Sequence, residues 1–311
     1  MILTVTLNAA VDKTYRIEGF QIDRVHRPSE WRVEAGGKGI NVARVYHTLG
    51  GAPLATGFLG GYNGRFVAEA LRREQIEGRF VSTREESRVC IAVVDPVSAT
   101  QTEINEPGPM VRPAELRRFL ALFDRLLAET SPRYVSLSGS IPPGVPVGIY
   151  ADLASRAAGR GARCILDASG DPLRLGVEAR PWMLKPNRFE LCSLVGASLQ
   201  GVEQFAQAAA GLVRSGIEVV AVTLGAEGAI LATNEGLWLA TPPEVSFVSA
   251  VGSGDSFVGA FVHVLERGGS LVDALRMGVG AGTANATVYG SGFCSAESIR
   301  EVASKVAIRR L

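Results

Sequence analysis

Cysteine and histidine are scarce and scattered in this 311-residue chain. The four cysteines, Cys90, Cys164, Cys192 and Cys294, form no CxxC pair, and the three histidines, His26, His47 and His263, are scattered too. A zinc site therefore has little support. Cys90, Cys164 and Cys192 stand in or beside apolar runs and read as buried small hydrophobes rather than reactive thiols. An excess of one charge is missing too. With 32 basic against 31 acidic residues and a net charge of +1, the chain lacks the basic footprint of a nucleic-acid binder. Arg309 and Arg310 read as a solvated helix end.

Long apolar runs are absent as well. No uncharged apolar stretch reaches the roughly 20 residues of a membrane span. The alanine- and glycine-rich segment from Met277 to Val288 is much too short. Met1 to Leu7 lacks a basic leader and breaks quickly into Asn8 and Asp12, so it reads as a first β-strand rather than a signal peptide. The expectation is a cytoplasmic protein with no membrane or nucleic-acid partner. Three phosphate and cofactor signatures are also missing: no Gly-Lys-Ser/Thr closes a Walker A loop, no GxGxxG fingerprint occurs, and the HRD and DFG words of protein kinases are absent.

What the chain does have is an ordinary globular balance, 47% hydrophobic and 20% charged, with 36 glycines. Its length permits one to three domains. From about residue 130 onward, short apolar strands alternate with helical periodicity. Strands are expected at Arg133 to Leu137, Cys164 to Leu166, Trp182 to Leu184 and Glu218 to Val222. Helices are expected at Val147 to Ala158, Arg188 to Leu194 and Gln204 to Ser215. Continuous apolar strands between helices indicate a parallel sheet covered on both faces, with ligands beyond the strands' C-terminal ends. Nearer the start, Leu54 to Phe58 reads as a strand between helices at Ile40 to Leu49 and Arg65 to Arg73. Residues 12–35 and 88–106 differ: they hold short alternating segments such as Glu30 to Glu34 and Thr102 to Asn105. Two such insertions could pair into a small sheet over the strand ends and exclude water as a lid; an immobile β-rich edge is the plainer reading. The end of the chain reads as three helices, Ser256 to Arg267, Leu271 to Thr287 and Ala296 to Ile308, preceded by a strand ending at Phe247-Val248.

Two glycine turns carry the chemistry. Gly252-Ser253-Gly254-Asp255 and Gly36-Gly37-Lys38-Gly39-Ile40-Asn41 each lead into a helix, where free backbone N–H groups favour an anion. Two such turns suit the two ends of a phosphoryl transfer. Asp255 stands where it can take the proton of an attacking hydroxyl, and its helix position should keep it ionised. The plainer reading is an Asp N-cap with turn glycines, Ser253 being a turn residue only. At the early turn, Asn41 offers both a donor and an acceptor to hydroxyls, and Asp12 could take two hydroxyl hydrogens of a polyol. Lys38, Arg27 and Arg88 are candidates for a phosphate already on the substrate, although each alone reads more simply as a surface charge.

Seven words in order connect these turns: Leu7-Asn8-Ala9-Ala10-Val11-Asp12, Gly36 to Arg44, Thr102 to Pro109, Ser138 to Gly144, Lys185-Pro186-Asn187-Arg188-Phe189-Glu190, Thr223 to Gly228 and Gly252 to Phe257. On them the chain resembles the ribokinase/PfkB carbohydrate-kinase family over essentially its whole length. It is most similar to the branch containing 1-phosphofructokinase and tagatose-6-phosphate kinase.

The resemblance implies an α/β fold, a ribokinase-like three-layer sandwich with a largely parallel sheet and a small β-sheet lid. The large domain would take approximately residues 1–11, 36–87 and 107–311, and the lid 12–35 and 88–106. It implies Asp255 as catalytic base beside an anion hole from Gly252, Ser253 and Gly254. Asp12, Gly37, Gly39, Asn41 and Ser138 would face the sugar, and Lys38, Arg88 and Arg27 its phosphate. Lys185, Asn187, Thr223, Gly225, Gly228 and Asn285 would line the nucleotide side, with Glu190 and Asn187 near Mg2+ through water. The implied reaction is ATP-dependent phosphorylation of a ketohexose monophosphate, D-fructose 1-phosphate ahead of D-tagatose 6-phosphate and D-fructose 6-phosphate. A non-catalytic sugar-phosphate or nucleotide sensor is the alternative of another class. The family pattern permits a homodimer through the lid. Ser249-Ala250 replaces the Asp/Asn-Thr common before the last motif, so a monovalent-cation requirement stays open.

Overall fold

The computed structural model describes residues 1–98 and 100–311. The first third runs β1 (Ile2–Thr6), β2 (Ala10–Arg16), β3 (Glu30–Gly36), α1 (Lys38–Thr48), β4 (Leu54–Gly60), α2 (Gly61–Arg73), β5 (Glu77–Thr83), β6 (Arg88–Asp95) and β7 (Thr100–Asn105). Then follow α3 (Pro113–Thr130), β8 (Tyr134–Ser138), α4 (Ile149–Ala158), β9 (Arg163–Asp167), α5 (Gly170–Glu178), β10 (Met183–Leu184), α6 (Arg188–Val195), α7 (Gly201–Arg214) and β11 (Val219–Thr223). The chain closes with β12 (Ala229–Thr233), β13 (Gly236–Thr241), α8 (Ser253–Glu266), α9 (Leu271–Asn285), α10 (Ala296–Ser304) and β14 (Ala307–Arg310).

Ten strands form one sheet in the order β14-β13-β12-β11-β10-β9-β8-β1-β4-β5. From β5 across to β11 every pairing is parallel; the three pairings from β11 to β14 are antiparallel. Successive side chains point to opposite faces of a strand. On one face Val135, Leu137, Cys164, Leu166, Val220 and Val222 pack beneath helices α3, α4 and α7. On the other, Tyr134, Ile165, Val219 and Ala221 meet Phe257, Phe261 and Leu275 of α8 and α9. Burial on both faces explains why these strands read as unbroken apolar runs. Four strands form a separate sheet, β3-β2-β6-β7, in which β2 runs parallel to β6. The expected architecture, a large mostly parallel sheet with a small second one, is what the chain adopts.

Local chemistry sets several boundaries. Asn187 caps α6 and Ser270 caps α9, each in a reciprocal box with the acid three residues on, Glu190 and Asp273. Gly196, at φ 66°, ends α6 in the left-handed region.

Three expectations need correction. Phe247-Val248 belongs to no strand; the Val248 amide instead donates to the Ala286 carbonyl at 2.8 Å. The last helix stops at Ser304, and Arg309 and Arg310 stand on β14, paired with Leu239 and Trp238. Edge pairing and the Arg310 guanidinium over the Trp238 ring stabilise a strand that local periodicity does not reveal. Of the cysteines, Cys164 is buried as expected, but Cys90 and Cys192 are only half-buried. Among the described residues, no helix is long and apolar enough to cross a membrane.

Candidate active site

A cavity of about 1030 Å³ opens where the C-terminal ends of the parallel strands meet the small sheet. Asp167 ends β9, Lys185 follows β10 and Thr223 ends β11; all three line it. The small sheet contributes polar groups from one face, Asp12, Glu34, Cys90, Glu103 and Asn105, with Arg88 beside them. The opposite wall, from α9 and the segment before α8, is more apolar, with Val245, Phe247, Val279 and Ala286.

Helix α8 begins between these walls. Gly252 takes φ 78°, and no side chain caps the helix. A Cβ there would approach Ser291 to 2.6 Å, so the turn needs glycine on two counts. The amides of Gly254 and Asp255 find no carbonyl within the described residues, leaving donors aimed at the cavity. Asp255 itself is buried. Burial pushes its carboxyl up to about 6, with Asp167 adding to the rise, against the pull of Lys38, the Asn41 hydrogen bond and Lys185. Desolvation thus outweighs the end of the helix in setting how strongly the acid holds its proton, although a carboxyl at about 6 is still mostly ionised at neutral pH. A carboxylate poised near neutrality suits a general base.

Beside it lies a cluster centred on a residue that motif reasoning missed. Asp167 is fully buried and receives Lys38 Nζ at 2.9 Å and Lys185 Nζ at 3.1 Å. Burial would raise Asp167, but Lys185 and Lys38 hold it below the ordinary carboxylate range. Lys38 is raised in turn: Asp167, Asp255 and Glu190 together outweigh its own desolvation. Lys185 Nζ also lies where a methyl on Gly254 would come within 3.2 Å of it. Two cations thus converge beside the free amides of α8. A carboxylate at a parallel strand's C-terminal end was the available signal for Asp167.

At the small-sheet end, burial lifts the Asp12 carboxyl to about 6, against the pull of Arg88 and Arg44. Gly36 leaves room for that carboxylate, which a Cβ would strike. Arg88 donates to the carbonyls of Asn8 at 3.1 Å and Glu106 at 3.2 Å, so the guanidinium is anchored at the cavity wall. Asn41 Nδ2 donates to Asp255 Oδ2 at 2.8 Å. Gly37, at φ 120°, lines the cavity, whereas Gly39 packs against Thr6 and Val5 beneath it.

The structure does not gather every expected residue. Arg27 stands on an exposed loop outside the cavity. Ser138 is buried behind it, its hydroxyl 2.7 Å from that of Ser136. Asn285 is buried as well, its Nδ2 donating to the Val251 carbonyl at 2.7 Å and its Oδ1 accepting from the Gly292 amide at 2.7 Å. It holds the loop before α8 in place. Asn187, Ser253, Thr223, Gly225 and Gly228 do line the cavity.

No group of three or more His, Cys, Asp or Glu side chains forms a metal cage among the described residues. Magnesium needs none, since it keeps several waters and takes its remaining ligands from phosphates. Glu190 stands just outside the cavity lining; its Oε2 accepts the Asn187 amide at 2.8 Å and its charge acts on Lys38, so it could reach a metal through water. The donor set fits that role.

The profile of the pfkB family carbohydrate kinases matches residues 5–298. A 1-phosphofructokinase of Rhodobacter capsulatus is 38% identical over 276 residues, 89% of this chain and 87% of that protein. One of Bacillus subtilis (strain 168) is 33% identical over 311 residues, 100% of both chains. The crystal structure of phosphofructokinase-2 from Escherichia coli in complex with potassium superposes with a TM-score of 0.90 at 32% identity, covering 97% of this chain and 98% of that one. Matching words, topology and relatives coincide over nearly the full length, and the chain belongs to the pfkB family of carbohydrate kinases.

Proposed function

We propose that this kinase transfers the terminal phosphoryl group of ATP to the free 6-hydroxyl of D-fructose 1-phosphate, giving D-fructose 1,6-bisphosphate. The observation that carries the reading is Asp255, a buried acid lifted to about 6 at the uncapped start of α8, inside the cavity. Its carboxylate takes the proton of the attacking hydroxyl. The Gly254 and Asp255 amides, with Ser253 and Gly252 shaping the turn, stabilise charge on the group in transfer. Lys38 and Lys185 offset that charge from the Asp167 side. Arg88 meets the phosphate already on the sugar, and Asp12 and Asn41 meet its hydroxyls. The more apolar wall, with Thr223, Gly225 and Gly228, takes the nucleotide. Magnesium, held through water by Glu190 with Asn187 nearby, would neutralise phosphate oxygens when bound.

The small sheet acts in this reading as a lid that excludes water from the transfer. Its outer face supports a further role. Tyr15 pairs with Trp31, Lys13 with Val33 and Ile91 with Ile104, so these side chains share the face away from Asp12. Trp31 is 62% and Ile104 59% exposed. Such an apolar sheet face suits a second copy of the chain, giving a homodimer through the lid. Measuring solution mass for the parent and Trp31→Lys tests it; a monomer mass for the parent, or a dimer mass kept in Trp31→Lys, would sink the dimer through the lid.

A substrate panel with magnesium ATP and D-fructose 1-phosphate, D-tagatose 6-phosphate, D-fructose 6-phosphate and D-ribose tests the reaction. The highest kcat/KM is expected for D-fructose 1-phosphate. The likeness to phosphofructokinase-2 from Escherichia coli, solved in complex with fructose-6-phosphate, makes D-fructose 6-phosphate the second reading. A preference for ribose would overturn the phosphate contact, and no turnover with any sugar would leave the sensor reading. Repeating the assay with potassium replaced by a larger cation tests the monovalent requirement.

A further inference from the structure

Arg44 is a buried arginine of α1 whose side chain is only 5% exposed, and none of its donors points at the cavity. Nε and Nη2 hold Glu74 at 2.7 and 3.1 Å, and Phe293 stacks on the guanidinium at 4.1 Å. That pair accounts for its charge. The remaining donors reach three separate parts of the site: Asn41 Oδ1 at 2.9 Å, the Ser291 carbonyl at 2.7 Å and the Ala35 carbonyl at 2.8 Å. Asn41 touches Asp255, Ser291 packs against Gly252 at the start of α8, and Ala35 precedes Gly36 at the root of β3.

We infer that Arg44 is a positioning residue for Asp255: it fixes the Asn41 amide so that its NH2 group faces the base, and ties that arrangement to the root of the small sheet. This rests on the reading of Asp255 as the base. A primary amide can present either its oxygen or its NH2 group to a neighbour. With Arg44 donating to Oδ1, the flipped amide would press NH2 against a guanidinium that has only donors to offer. Without Arg44 the amide is free to turn its oxygen toward Asp255. That repels the carboxylate and accepts a hydrogen bond from the protonated acid, so the base holds its proton to higher pH. The other charged groups facing Asp255 are Lys38 of α1, Asp167 at the end of β9 and Lys185 after β10, and the substitution leaves all three in place.

The test is steady-state kinetics across pH on Arg44→Met, Arg44→Lys, Asn41→Ala and the Arg44→Lys/Asn41→Ala double variant, with Asp255→Asn as reference. Arg44→Met is expected to lower kcat about tenfold and move the acid limb of kcat up by about half a pH unit, a modest change of hydrogen bonding at the base. Arg44→Lys keeps the charge beside Glu74 but loses the fork, so it separates orientation from folding should Arg44→Met not fold. It should show the same limb shift with a melting temperature close to that of the parent. The double variant should lose little more than Asn41→Ala alone, because both changes break one link. An unmoved limb in Arg44→Lys, or losses that multiply in the double variant, overturns the inference. Near-normal kcat in Asp255→Asn would instead remove the base reading beneath it.

Discussion

The starts of α1 and α8 are both glycine turns, both uncapped, and both line one cavity. They are nevertheless built for different work. Both turns leave early amides without acceptors, but only α8 places a buried acid in its first turn. At α1 the glycines serve close packing: Cβ atoms at Gly37 and Gly39 would meet Thr6 at 2.6 and 2.5 Å. Its polar residues turn away from a simple anion cradle, Lys38 to Asp167 and Asn41 to Asp255. A glycine-rich helix start is thus a permission for close approach, and the approaching group decides its use.

The largest effect should come from breaking the α8 side. Asp255→Asn is expected to lower kcat by roughly 10²-fold or more with little change in either KM, the scale of a lost general base. Near-normal turnover would remove the functional difference between the two turns. At the α1 side, Arg88→Leu should lower kcat/KM for the sugar phosphate by about ten- to a hundredfold, a charge-assisted contact of about 1.5–3 kcal/mol, with the KM for ATP nearly constant. Equal losses for both substrates would make Arg88 a structural residue.

The pH profile sharpens the comparison. Asp255 and Asp12 are each raised to about 6, so both carry a proton below that pH and lose it above. The kcat profile should fall on the acid side near pH 6 through Asp255. The kcat/KM profile should fall more steeply there, because binding also needs ionised Asp12. A flat kcat between pH 5 and 7 would contradict the role of Asp255. The smallest effect is expected from Ser138→Ala. Its hydroxyl is spent on Ser136 behind the cavity, so sugar KM should stay within about twofold while stability falls by about 1 kcal/mol, the worth of one internal hydrogen bond. A selective rise in sugar KM would return Ser138 to the site.

Much of the architecture is written locally. Apolar runs such as Val219–Val222 specify strands buried on both faces, and the Asn187 and Ser270 boxes mark helix starts within a few residues. The two glycine turns and the acid at 255 are local as well, since backbone freedom and free amides depend on neighbours in the chain. The antiparallel strand β14 was not legible, because Ala307–Arg310 is too short and too charged to reveal its pairing with β13. Nor was the fate of the site's polar groups. The contact of Asn41 with Asp255 spans 214 residues and that of Lys38 with Asp167 spans 129. Ser138 stands in a word that points to a ligand and Asn285 was expected there from the resemblance, yet packing turns both into interior supports. By itself the sequence determined the family words, the strand and helix types and the chemical identity of the base. Only the tertiary structure decided how strongly that base holds its proton and which cations gather beside it. Desolvation and charge pairing depend on distance through space, and local patterns along the chain carry no measure of it.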